Sequence, residues 1–130
     1  WAKLIRRYLK PNGMFYMVEF HPFMYSLNEN SEITHSYFQS KPIETSAEKT
    51  YTDDSKVTSK DLKYVEWNHS MGEILNCFIT NGLRIEFLNE FPYQVYNCFP
   101  NLTENEKGKW VSKKYGDKVP HMYSLKATKI

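Results

Sequence analysis

Apolar residues recur along this chain with two different periods. Trp1, Leu4, Ile5, Tyr8 and Leu9 stand at helical spacing, with Lys3, Arg6, Arg7 and Lys10 between them, which predicts an amphipathic helix over 1–9. Pro11 ends it because its ring disfavours helical geometry at Lys10, and Gly13 permits the reversal. The next seven residues, MFYMVEF (14–20), are almost wholly apolar, the pattern of a strand buried on both faces. Residues 28–61 are rich in Ser, Thr, Asn, Lys and Glu. They read as an insertion between core elements, with 33–38 and 49–52 pairing as an exposed hairpin that 64–67 extends. Asn68 or Ser70 caps a second helix reaching Asn81-Gly82, with Met71, Ile74, Leu75, Phe78 and Ile79 on one face. LRIEFLNEF (83–91) alternates as a strand, Ile85 and Phe87 on one face, Arg84, Glu86, Leu88 and Glu90 on the other. Residues 93–119 read as an irregular aromatic crossing with a short helix near 105–114, and 121–128 as a last strand.

Composition narrows the class. The 130 residues suffice for one domain, 1–130, with a single modest core. Aromatic residues make up 16% of them, and large rings bury much area per residue. The formal charge of +2 gives no electrostatic case for nucleic acid or a charged membrane surface. No apolar stretch approaches the roughly 20 residues that cross a bilayer, and WAKLIRRYLK lacks the features of a secretory signal. Cys77 and Cys98 have neither CxxC spacing nor a third partner, so neither a disulfide framework nor a zinc site is indicated. Two Asn-x-Ser/Thr triplets, at Asn68 and Asn101, are short enough to arise by chance. A reducing, cytoplasmic setting is the default expectation.

The order helix, strand, insertion, helix, strand, crossing, strand carries a family signature. Leu9-Lys10-Pro11-Asn12-Gly13 before an apolar strand resembles the LKPGG turn of class I S-adenosylmethionine-dependent methyltransferases, with Asn12 where that family has glycine. Asn also accepts left-handed geometry. The helix ending at Asn81-Gly82-Leu83 and the strands RIEFLNEF and HMYSLKATK resemble the family's fifth helix, sixth strand and seventh strand. The resemblance implies an α/β fold: the C-terminal half of a Rossmann-like methyltransferase sheet, three core strands ending in a reversed hairpin, with an inserted β-hairpin. It also implies methyl transfer from S-adenosylmethionine. The acceptor is not named by these residues, but the aromatic and weakly charged segments expected at the mouth favour a small molecule.

The family's glycine-rich cofactor turn has no counterpart. The five glycines, at 13, 72, 82, 108 and 116, are isolated from one another, so no cofactor-binding residue is carried over. Trp1 already stands one step inside a helix, and the sequence reads as cut at its left edge. The chain therefore resembles the substrate-facing half, expected to be inactive without the cofactor-binding half. A non-catalytic reading competes: a methyltransferase-like module that binds a partner, or forms a homodimer through the apolar edge of strand 14–20.

Glu19 and His21 fall at the carboxyl end of the first strand, where open α/β sheets place ligand sites. They would bind substrate there, with His21 as the base, since imidazole titrates near neutral pH. Against this, His21 can simply pack before Pro22 while Glu19 pairs with a cation. Tyr64, Trp67 and His69 offer an aromatic wall with one polar group, or, more plainly, an anchor for the insertion. Two histidines without a third ligand make no metal site. Tyr93, Tyr96, Phe99 and Trp110 read as cover for the outer strands, and Lys107, Lys109, Lys113, Lys114 and Lys118 as a solvated face. No Ser or Cys stands in an activated setting, and methyl transfer needs chiefly alignment of its reactants.

Overall fold

A computed structural model describes residues 1–38, 41–46, 49–50, 53–56 and 63–130. Its elements are α1 (Ala2–Tyr8), β1 (Met14–Phe20), a 3-10 turn (Pro22–Ser26), β2 (Ile43–Ser46), β3 (Lys49–Thr50), β4 (Asp53–Lys56), β5 (Lys63–Glu66), α2 (Met71–Thr80), β6 (Leu83–Phe91), β7 (Leu102–Glu106), β8 (Lys109–Ser112) and β9 (Met122–Lys129). The main sheet has the order β1-β9-β6, with β9 antiparallel to both neighbours. That placement of the final strand is the one implied by the reversed hairpin.

The turn into β1 follows from local chemistry. Asn12 takes φ 60°, the left-handed geometry that Asn tolerates. A Cβ on Gly13 would lie 2.7 Å from the Lys10 carbonyl oxygen, which only glycine avoids. Lys129 Nζ donates to the Leu9 carbonyl at 2.7 Å, so a cation from β9 closes the C-terminal end of α1. At the start of α2, Ser70 and Glu73 form a reciprocal capping box: Glu73 N–H donates to Ser70 Oγ, and Ser70 N–H donates to Glu73 Oε2.

One face of the sheet carries the core. Ala2, Phe78, Leu83, Tyr123, Leu125 and Ala127 are buried together, and Ile5, Phe15, Met17, Ile74, Leu75, Ile85 and Leu88 pack around them. Trp1 meets Phe78 edge-on at 5.1 Å and Phe15 at 5.9 Å. The helix stripes are narrower than their apolar spacing suggests: Leu4, Tyr8 and Ile79 are exposed, because Ala2 and Ile5 on α1, Leu9 just after it and Phe78 on α2 already fill the space over the sheet.

Four sequence expectations need correction. β1 is not buried on both faces: Phe15 and Met17 join the core, while Met14, Tyr16 and Val18 are 55%, 52% and 51% exposed. Both of its faces carry apolar side chains, so the sequence hides an alternation that the fold enforces. In β6 the alternation reverses at a bulge between Ile85 and Phe87. Leu88 therefore joins Ile85 over the core, and Phe87 turns to the opposite face beside Tyr16, ring centroids 6.2 Å apart.

Residues 33–38 form no strand. Asn28 Oδ1 accepts from the N–H groups of Asn30 and Glu32 and folds the segment into a loop, with Ile33 bridging back to Leu27. The inserted pairings instead join β2 to β5 and β3 to β4; the expected partner residues 51–52 lie outside the described residues. Finally, 105–114 holds no helix. β7 and β8 form a hairpin there, turned at Gly108 with φ +77° and steadied by the Gly108 N–H to Glu104 Oε1. Mutual hydrogen bonds between the Gln94 and Trp110 backbones tie it to the end of β6. Among the described residues no helix is long and apolar enough to cross a membrane.

Candidate functional site

A cavity of about 610 Å³ opens beside the carboxyl end of β1, within the size range of small-molecule sites. Met17, Glu19 and Phe20 of β1 form one wall and Pro22 and Tyr25 of the following 3-10 turn form another. Ile43 and Glu66 come from the β2–β5 pair, and Trp67, Asn68 and His69 from the segment leading into α2. Glu73, Ile74 and Cys77 of α2, Trp1 and Tyr123 complete it.

The geometry unites three of the residues singled out by the sequence. Glu19, Trp67 and His69 all line the cavity. His69 is largely exposed, its Nδ1 3.8 Å from Glu73 Oε2. Trp67, 60% exposed, presents its ring at the rim. Tyr64 sits in β5 opposite Thr45, and its side chain lies outside what is described.

His21 stands apart from them. It is 4% exposed and does not line the cavity. Its Nδ1 accepts from Phe23 N–H at 3.1 Å and so caps the 3-10 turn, while Nε2 lies 2.9 Å from Glu90 Oε1. Burial lowers the pKa of this imidazole, and Glu90 only partly restores it. Nδ1 caps a turn and Nε2 is turned to Glu90, so neither ring nitrogen of His21 faces the cavity.

Several wall residues were missed. Tyr123 is paired directly opposite Glu19 across β1 and β9, a neighbour visible only once the register is known. It is 2% exposed, and burial together with the Glu19 charge pushes its hydroxyl up to about 12. Burial raises the Tyr25 hydroxyl as well, with Glu19 and Glu66 adding to the effect. Both phenols are thus held protonated. Asn68 is buried, donating to the Pro22 carbonyl at 3.1 Å, and so pins the approach to α2 against the end of β1. Asn101 is buried likewise, donating to Ser31 Oγ at 2.7 Å.

The cavity does not suit S-adenosylmethionine through any glycine cradle. None of the glycines lines it, whereas backbone approach to such a cofactor relies on glycine. Among the described residues, no three His, Cys, Asp or Glu side chains gather in a way that would hold a metal ion.

Comparison with known proteins agrees with the fold. No family model and no curated protein matches the sequence. Among solved structures, a provisionally assigned S-adenosylmethionine-dependent methyltransferase from Listeria monocytogenes superposes with a TM-score of 0.55 at 15% identity, over 99% of this chain and 53% of its own. The chain therefore has a methyltransferase-like fold and spans about half the length of that neighbour.

Proposed function

We propose that this chain takes part in S-adenosylmethionine-dependent methyl transfer to a small-molecule acceptor, and that it supplies the acceptor-facing side of the site. The observation that carries this reading is the position of the cavity: at the carboxyl end of a sheet strand, in a methyltransferase-like fold. In this reading Glu19, Trp67 and His69 hold the acceptor and exclude water from it. Rate enhancement comes chiefly from orientation, so no nucleophile or strongly shifted base is required. The cofactor is held by groups other than those lining the cavity.

The test is a calorimetric titration of S-adenosylhomocysteine into the chain, with the mass in solution measured on the same sample. Saturable binding that S-adenosylmethionine displaces supports the reading. No binding, together with a dimeric mass, refutes methyl transfer by this chain alone and supports a half-domain or non-catalytic module that pairs with its own copy. One observation favours that second reading. β1 is paired on one side only among the described residues, and its outward face exposes Met14, Tyr16 and Val18.

A further inference from the structure

The electrostatics of the cavity separate one class of ligand from the others. Three carboxylates, Glu19, Glu66 and Glu73, stand on its wall, and among the described residues no lysine or arginine lines it. Glu73 is engaged by the α2 cap. Among the described residues Glu19 accepts only the adjacent Phe20 N–H at 2.8 Å. The Glu66 carboxylate has no hydrogen bond or ion pair among the described residues. Tyr123 lines the same space, nine-tenths buried, and its hydroxyl has no hydrogen-bond partner among the described residues.

Uncompensated negative charge in a half-enclosed space attracts a cation and repels an anion. The rings of Phe20, Tyr25 and Trp67 around it add the negative faces on which organic cations rest. A bare metal ion is a poor match, because the carboxylates do not gather as a ligand set and rings offer it no donor atoms. We propose that this cavity binds an organic ammonium ion carried on an apolar body, the nitrogen facing Glu19 and Glu66 and the body lying against the aromatic wall. Joined to the methyl-transfer reading above, on which this last step rests, it makes an amine the acceptor class.

The probes are 2-phenylethylammonium, the neutral 2-phenylethanol and the anionic 3-phenylpropionate, titrated calorimetrically into the full chain at low salt. The ammonium should bind about tenfold or more tighter than the alcohol, and the carboxylate not at all. Glu66→Gln, a change of charge at constant shape, should weaken the ammonium about tenfold and leave the alcohol unchanged. Glu19→Gln should do the same, and a circular dichroism spectrum identical to the parent's shows that each variant is folded. Equal binding of ammonium and alcohol, preference for the carboxylate, no binding of any probe at millimolar concentration, or an ammonium affinity indifferent to both substitutions would each overturn the proposal. The two readings fail separately. Ammonium selectivity without S-adenosylhomocysteine binding removes the acceptor assignment and leaves the cation site; the reverse result removes the cation site alone.

Discussion

Phe78 is the side chain on which the helices and the sheet converge, and Phe78→Ala is the most informative single change. The ring is 0% exposed, 5.1 Å from Trp1 and 5.8 Å from Phe15 between ring centroids. Truncation deletes its buried apolar surface and strands two aromatic partners around a void, a loss of about 3–5 kcal/mol. A domain of this length has a total stability of roughly 7–20 kcal/mol, so the variant should still fold while losing a large share of its margin. In urea, with a slope of about 1–3 kcal/mol per molar, the midpoint should fall by roughly 2 M. Circular dichroism at 222 nm and tryptophan fluorescence should report the same transition. Because Trp1 also lines the cavity, the folded variant should bind the arylalkylammonium probe more weakly. Phe78→Leu, which keeps most of the volume, should cost less than half as much. A midpoint shift below about 0.5 M with an unchanged slope would refute the claim that Phe78 joins α1 and α2 to the sheet.

Further outcomes follow from caps, burial and protonation. Ser70→Ala removes one half of the α2 capping box and should cost about 1 kcal/mol, read from the same urea transition; a change under about 0.3 kcal/mol would show that the box contributes little. Stability should fall as pH drops through and below 6.5. Burial first, and for His21 the nearby His121 charge as well, holds both imidazoles below that ordinary value in the folded chain, so the unfolded chain takes up protons that the folded chain refuses. At His121, Nε2 accepts the Ser112 N–H at 2.9 Å, a bond that a proton there would break; the Val119 carbonyl, 2.8 Å from Nδ1, acts in the opposite direction without offsetting the burial. Urea midpoints that stay level between pH 7.5 and 5 would contradict this. Burial pushes the Cys98 thiol up to about 11, so iodoacetamide should label it far more slowly at pH 8 than a free cysteine, and labelling at the free rate would show the thiol to be open.

What could be read from the sequence, and what could not, divides on a physical line. Features fixed within a few residues were visible: Pro11 and Gly13 stopping α1, the Ser70 cap, the Asn81-Gly82 exit, and the β6 range 83–91. Features fixed by pairing were not. The bulge at Glu86 decides that Leu88, and not Phe87, faces the core, yet nothing in LRIEFLNEF marks which residue is the extra one. The β7–β8 hairpin, where the sequence suggests a helix, turns on one glycine, Gly108, and takes its register from cross-strand pairing. Position along β1 was enough to place Glu19 on the cavity wall, and proximity to the helix start was enough to place Trp67 and His69 there. His21 carried the same positional signal, but its ring turns inward to cap a single 3-10 turn. Tyr123 and Glu66 reach the cavity through strand registers, which no local pattern reveals.

The central place of β9 has a consequence for the order of events at the ribosome. β1 and β6 are both synthesised before β9, yet among the described residues they share no backbone pairing; each pairs with β9. Until that strand emerges, two apolar segments wait with their backbone groups open, far apart in sequence from the partner they need. Such long-range closure is slow and leaves unpaired edges available to other chains. The α2–β6 contact can form early, because its two members are neighbours in sequence. The sheet itself can close only as a late step, when β9 slides between two strands that have had no earlier reason to stand one strand's width apart.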